Sequence, residues 1–99
     1  MNIVLVCMAG MSTSLLQTKL IDEAKSREID VSVKAVPIAD IDDHVTGADI
    51  LLLGPQVRYL EKELKKKYSN IPISVIKMTD YGTMNAKNIF DNILAEVKE

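Results

Sequence analysis

Two short runs, Ile3-Val4-Leu5-Val6 and Ile50-Leu51-Leu52-Leu53, are apolar at every position. A strand with one solvated face alternates apolar and polar residues, so an unbroken apolar run of this length fits a strand covered on both faces, as in parallel α/β sheets. Two further runs differ. Val31-Ser32-Val33-Lys34-Ala35-Val36 alternates, and Ile71-Pro72-Ile73-Ser74-Val75-Ile76 carries a proline that cannot donate to a sheet ladder. Both read as edge strands. With right-handed crossovers the expected sheet is open, four-stranded and parallel, in the order 2-1-3-4, and its winding direction reverses between strands 1 and 3.

Helix-length segments separate the runs, as βαβ units require. Leu16, Leu20 and Ala24 share one helical face, which Leu15 and Ile21 are expected to widen. Val57, Leu60, Leu64 and Tyr68 recur at helical steps, with Glu61 and Lys65, and Glu63 and Lys67, spaced as supporting pairs. Ala86, Ile89, Phe90, Ile93, Leu94 and Val97 predict a C-terminal helix. The stretch from Ile38 to His44 is too short for a full crossover helix and predicts only a turn or two. A chain of 99 residues supports one core. The reading is therefore a single α/β domain over residues 1–99 with helices on both faces of the sheet.

Charge narrows the partners. Twelve Lys and Arg against 14 Asp and Glu leave a net charge of −2, which gives no electrostatic reason to expect nucleic acid or an anionic membrane. The single cysteine, Cys7, rules out an intramolecular disulfide and fits a reducing, cytoplasmic compartment. The apolar start lacks a basic n-region and is too short for a signal sequence, and no run approaches a spanning helix, so no direct membrane insertion is expected. Asp40, Asp42, Asp43 and His44 lack the calcium-loop pattern, and no second histidine is present. They read as a solvated acidic loop and a surface histidine, with no metal or cofactor implied.

Ligands of open parallel sheets bind beyond the carboxyl ends of the strands at the switch point, which is where Cys7 falls. Met8, Ala9, Gly10, Met11, Ser12, Thr13 and Ser14 follow and run into the first helix. Backbone N–H groups there can converge on an anion, with Gly10 allowing the curvature and the hydroxyls of Ser12, Thr13 and Ser14 available to cap the helix or meet phosphate oxygens. Ser14 and Gln17 also have the spacing of a capping box. Thiols at helix N-termini are activated, so Cys7 reads as a nucleophile, the alternative being a small buried hydrophobe. The lysine of a P-loop and the three glycines of a dinucleotide fingerprint are both missing.

The same segment resembles the low-molecular-weight tyrosine phosphatases, with Thr13 where that family carries its phosphate-binding arginine. Losing that bidentate donor favours holding phosphate over hydrolysing it. Ile3-Val4-Leu5-Val6-Cys7, Ala9-Gly10-Met11-Ser12-Thr13-Ser14-Leu15-Leu16, Leu52-Leu53-Gly54-Pro55-Gln56 and Tyr81-Gly82 together resemble the IIB components of the lactose/cellobiose/chitobiose branch of the phosphoenolpyruvate-dependent sugar phosphotransferase system. That resemblance spans nearly the whole chain. It implies that Cys7 accepts a phosphoryl group from a phosphohistidine of a IIA component and passes it to a sugar, a β-linked disaccharide such as cellobiose, chitobiose or lactose, bound by the membrane IIC component. It also implies a cytoplasmic place beside the membrane through IIC, and puts Gln56 and Tyr81 at the phosphate pocket or docking surface. Two other functions are open to the residues themselves, an acid phosphatase using Asp80 as general acid and a regulatory module built on a reactive thiol.

Overall fold

The structure is a computed structural model and describes residues 1–7 and 13–97. Four strands, β1 (Asn2–Cys7), β2 (Ser32–Pro37), β3 (Ile50–Leu53) and β4 (Ile73–Val75), form one sheet in the order β2-β1-β3-β4. All three pairings are parallel. The expected topology is found, with the two wholly apolar runs at the centre. Pro72 lies just before β4, where its carbonyl accepts the Leu51 N–H at 2.9 Å and its missing N–H disturbs no ladder.

Side chains of successive strand residues point to opposite faces, and each face has its own cover. Ile3, Leu5, Val33, Ile50 and Leu52 pack with Leu16, Leu20 and Ala24 of α1 (Thr13–Ser26) and with Ile89, Phe90 and Ile93 of α4 (Ala86–Val97). Val4, Val6, Val36, Leu51, Leu53 and Ile73 pack on the other face with Ile41, Val45, Val57 and Leu64. This explains why β1 and β3 carry no polar residue between their ends. Burying a large aliphatic side chain contributes about 1.5–3 kcal/mol, and these strands offer one at every step.

α1 ends in a Schellman arrangement, with Ile29 N–H bonded to the Ala24 carbonyl at 2.9 Å and Glu28 N–H to that of Lys25 at 3.0 Å. Glu28 takes the left-handed position, φ 60°, that glycine usually fills. Arg27 then fastens α1 to α4. Its guanidinium meets Glu23 at 2.8 Å, Asp91 at 2.8 Å and the Lys87 carbonyl at 3.2 Å, and lies 5.1 Å from the centre of the Phe90 ring. The hydrogen bonds it donates to Glu23 and then to Asp91 raise its pKa above the ordinary value.

Three details depart from the periodicity. Leu15 is 54% exposed and does not widen the buried stripe of α1, because it stands one residue off that face, with exposed Thr18 and Lys19 as its helical neighbours. The segment after β3 is two pieces, a 3-10 turn over Pro55–Leu60 and α2 over Glu61–Lys67, and buried Val57, at φ −117°, ψ 20°, kinks the first of them. The Glu61–Lys65 pair forms at 2.9 Å, whereas Lys67 turns to Asp42, also at 2.9 Å. That second contact ties α2 to the 3-10 turn Ile38–Asp43. The turn buries Ile41 and leaves its carboxylates exposed, as the solvated-loop reading expects.

Candidate functional site

Cys7 is the last residue of β1 and stands level with Pro37, the last residue of β2. It is 3% exposed, and its Sγ lies 3.9 Å from the Val36 carbonyl oxygen. The central strand thus delivers the thiol to the carboxyl edge of the sheet, between β2 and β3, where the winding reverses. Met8, Ala9, Gly10, Met11 and Ser12, and the side chain of Thr13, lie outside the described residues. Ser14 is within α1, with its side chain exposed. It is therefore not the residue preceding the helix, and Gln17 engages another element: its Nε2 donates to the Val33 carbonyl of β2 at 2.6 Å. The capping-box spacing has a different use here.

The end of β3 brings two sequence-marked residues together. Gly54 N–H donates to the Val6 carbonyl at 3.1 Å, which closes β3 against the residue before Cys7. A β-carbon at Gly54 would stand 2.7 Å from Gln56 Oε1, 3.6 Å from the Val6 carbonyl oxygen and 3.7 Å from Tyr81 Cε2. The glycine therefore makes room for the Gln56 side chain, since its φ of −63° is open to any residue. Gln56 is exposed and curls back over the strand end. Tyr81, in α3 (Met78–Gly82), is 9% exposed and packs its ring into the core under α1 and α4.

Asp80 points elsewhere. At 6% exposure it is the one buried carboxylate among the described residues, and its Oδ1 accepts from Asn88 Nδ2 of α4 at 3.3 Å. His44 lines a shallow cavity with Asn2 and Ser32, the first residues of β1 and β2, at the opposite edge of the sheet from Cys7. Among the described residues no group of His, Cys, Asp or Glu is arranged to hold a metal ion, and no helix is long and apolar enough to cross a membrane.

Sequence reasoning missed Gly54 as a contact residue and Gln17 as a link between helix and sheet. A glycine directly before Pro55 and a polar residue between Leu16 and Leu20 were the available signals. It also missed that, among the described residues, the large exposed apolar side chains, Leu15 at 54%, Tyr59 at 67% and Met78 at 65%, all lie in segments leaving the carboxyl ends of β1, β3 and β4. Arg58 and Lys77 are exposed beside two of them.

Similarity to known proteins agrees with this geometry. Residues 2–92 match the family described as PTS system, lactose/cellobiose-specific IIB subunit. The chain is 43% identical over 94 residues to the galactose-specific EIIB component of Lactococcus lactis subsp. cremoris (strain MG1363), covering 88% of this chain and 87% of that one. Identity and coverage are the same for the cellobiose-specific EIIB component of Lactococcus lactis subsp. lactis (strain IL1403). The solution structure of the cellobiose-specific phosphotransferase IIB component from Borrelia burgdorferi superposes with a TM-score of 0.75 at 40% identity, over 92% of this chain and 85% of that one. The chain belongs to the lactose/cellobiose-specific IIB subunits of the sugar phosphotransferase system, and is thus a sugar phosphotransferase component.

Proposed function

We propose that Cys7 is the phosphoryl carrier of this subunit. In the first step its thiolate attacks the phosphorus of a phosphohistidine on the IIA component, so that an S–P bond forms, the N–P bond breaks and imidazole leaves with the electron pair. In the second, a hydroxyl of sugar held by the membrane IIC component attacks the same phosphorus. An O–P bond forms, the S–P bond breaks, the hydroxyl proton is lost and the thiolate returns. The observation that carries the reading is the placement of Cys7 as the last residue of a central strand at the switch point, with α1 starting shortly after it. Met8 to Ser14 are proposed to cradle the phosphoryl group with their N–H groups and hydroxyls. Helix-end interactions of ~0.3–1 kcal/mol suit a group that must leave again.

Gln56 and Tyr81 join the reading because both approach Gly54 beside the Cys7 strand end. We assign Gln56 to the pocket rim and Tyr81 to the wall behind it. Leu15, Tyr59 and Met78, with Arg58 and Lys77, form the face on which IIA and then IIC dock, which would hold the chain at the cytoplasmic side of the membrane without insertion. The transferred sugar is a β-linked disaccharide or a related sugar selected by IIC. The two Lactococcus relatives bear the names of different sugars at equal identity, so this chain's similarity does not choose between them.

The test is intact-mass analysis after incubation with phosphoenolpyruvate, the general phosphotransfer proteins and a panel of IIA components. A single phosphoryl adduct that depends on IIA, maps to Cys7 and is lost in Cys7→Ser is expected. An adduct on any other residue, or none with every IIA, would overturn the assignment.

A further inference from the structure

The contact of Gln17 with Val33 goes beyond what cover of the sheet requires. Leu16, Leu20 and Ala24 hold α1 down by apolar contact, which is non-directional, and the Arg27 clamp to α4 lies beyond its other end. A hydrogen bond fixes direction and distance. Along β2 the backbone groups alternate between its two sides. Ser32 N–H bonds to the Met1 carbonyl, so Ser32, Lys34 and Val36 face the chain of β1, and the Val33 carbonyl faces the open edge. Gln17 Nε2 reaches that edge carbonyl at 2.6 Å from the fifth residue of α1, about one turn from its start. The Val36 carbonyl, on the same strand, lies 3.9 Å from Cys7 Sγ. One strand therefore holds both the thiol and the first turns of the helix.

We infer that Gln17 is a positioning residue, which sets the N-terminal end of α1 relative to Cys7 by tying the helix to β2. The inference rests on the phosphoryl-carrier reading of Cys7. Without the tie, apolar packing still attaches α1, but its N–H groups and dipole no longer address an anion at the strand end as well.

The test compares wild type, Gln17→Met and Arg27→Met, the last cutting the clamp at the opposite end of α1. Cys7 is alkylated at neutral pH with anionic iodoacetate and with uncharged iodoacetamide, and the rate ratio reports how favourably the site receives negative charge. Phosphoryl transfer from phosphorylated IIA is timed in parallel. Gln17→Met is expected to lower both the ratio and the transfer rate about two- to fivefold, the scale of helix-end charge interactions. Arg27→Met is expected to lower the melting temperature while leaving both unchanged. A ratio or transfer rate in Gln17→Met equal to wild type would overturn the inference alone, and so would an equal fall in Arg27→Met, which would mark a general loss of order. If Gln17→Met does not fold, Gln17→Ala takes its place under the same criteria. Wild type that takes no phosphoryl group on Cys7 would instead sink the carrier reading, and this inference with it.

Discussion

Gly54→Ala separates stability from function in a way the geometry makes quantitative. The glycine sits at φ −63°, ψ 155°, extended backbone that alanine adopts without strain. Reduced freedom of the unfolded chain should then favour the variant by about 0.4–1 kcal/mol. Against this, the new β-carbon would lie 2.7 Å from Gln56 Oε1, while the Val6 and Tyr81 atoms at 3.6 and 3.7 Å are ordinary contacts. Gln56 is an exposed, flexible side chain and must move. Its displacement costs nothing if another rotamer is open, and about 0.5–1.5 kcal/mol if it is pushed off rotamer. The two effects nearly offset each other, so folding stability should stay within about 1 kcal/mol of wild type. For a domain of this size that is a shift of less than about 4–8 °C in Tm.

Transfer should respond much more strongly. If the Gln56 amide contacts the phosphoryl group, its loss removes a hydrogen bond to a charged partner, worth about 1.5–3 kcal/mol. The rate of transfer from phosphorylated IIA, followed by quenched-flow mass analysis, should then fall about ten- to a hundredfold. Gln56→Ala should fall equally, and the double variant no further, because both changes act on one side chain. Wild-type transfer by Gly54→Ala would refute the role given to Gln56. A stability loss of several kcal/mol would refute the account of what the glycine accommodates.

Other perturbations test the surrounding structure. The Tyr68 hydroxyl is buried without a hydrogen-bond partner, so Tyr68→Phe should leave stability in urea unchanged or raise it by up to about 1 kcal/mol; a loss would show that the hydroxyl is satisfied. Glu28→Gly should raise stability by about 0.5–1 kcal/mol, since the left-handed φ of 60° that closes α1 costs a side chain more than a glycine, and calorimetry showing a lower Tm would count against that account. Leu15→Asp should leave Tm within a few degrees, because the side chain is 54% exposed, yet slow transfer from IIA by raising its KM. An unchanged KM would remove Leu15 from the docking face.

The sheet was legible because its signal is dense. Every residue of Ile3–Val6 and Ile50–Leu53 is buried, so each carries the same message, and strand order follows from handedness once the central pair is known. The helices were legible only where a repeat meets a continuous apolar surface. Leu15 stands beside the buried face and not on it, since its helical neighbours Thr18 and Lys19 are exposed while Leu16, one residue on, reaches the core. Val57 keeps its place in the repeat and its burial while its backbone leaves the helical region. Cys7 could be located because a strand end is a topological fact. Gln17 and Gly54 could not, since a polar side chain gives no sign of the distant carbonyl it will meet, and a glycine gives no sign of the side chain that will fold over it.

The likeness to tyrosine phosphatases leaves one chemical alternative to decide, and two residues bear on it. Hydrolysis of a phosphocysteine needs charge stabilisation around the transferring group and, in forming it from a phosphate ester, an acid that reaches the leaving oxygen. By the resemblance of the sequence, Thr13 falls where those enzymes carry arginine. Asp80 is 6% exposed and holds Asn88 under α4, so its carboxyl is engaged in joining α3 to α4 and is not presented at the rim. A chain built in this way should keep its phosphoryl group for a partner. Wild type should therefore turn over p-nitrophenyl phosphate no faster than Cys7→Ser, and Asp80→Asn should transfer from IIA at the wild-type rate. Turnover that requires Cys7 and falls in Asp80→Asn would assign the acid after all, and the chain would then be reasoned about as a hydrolase.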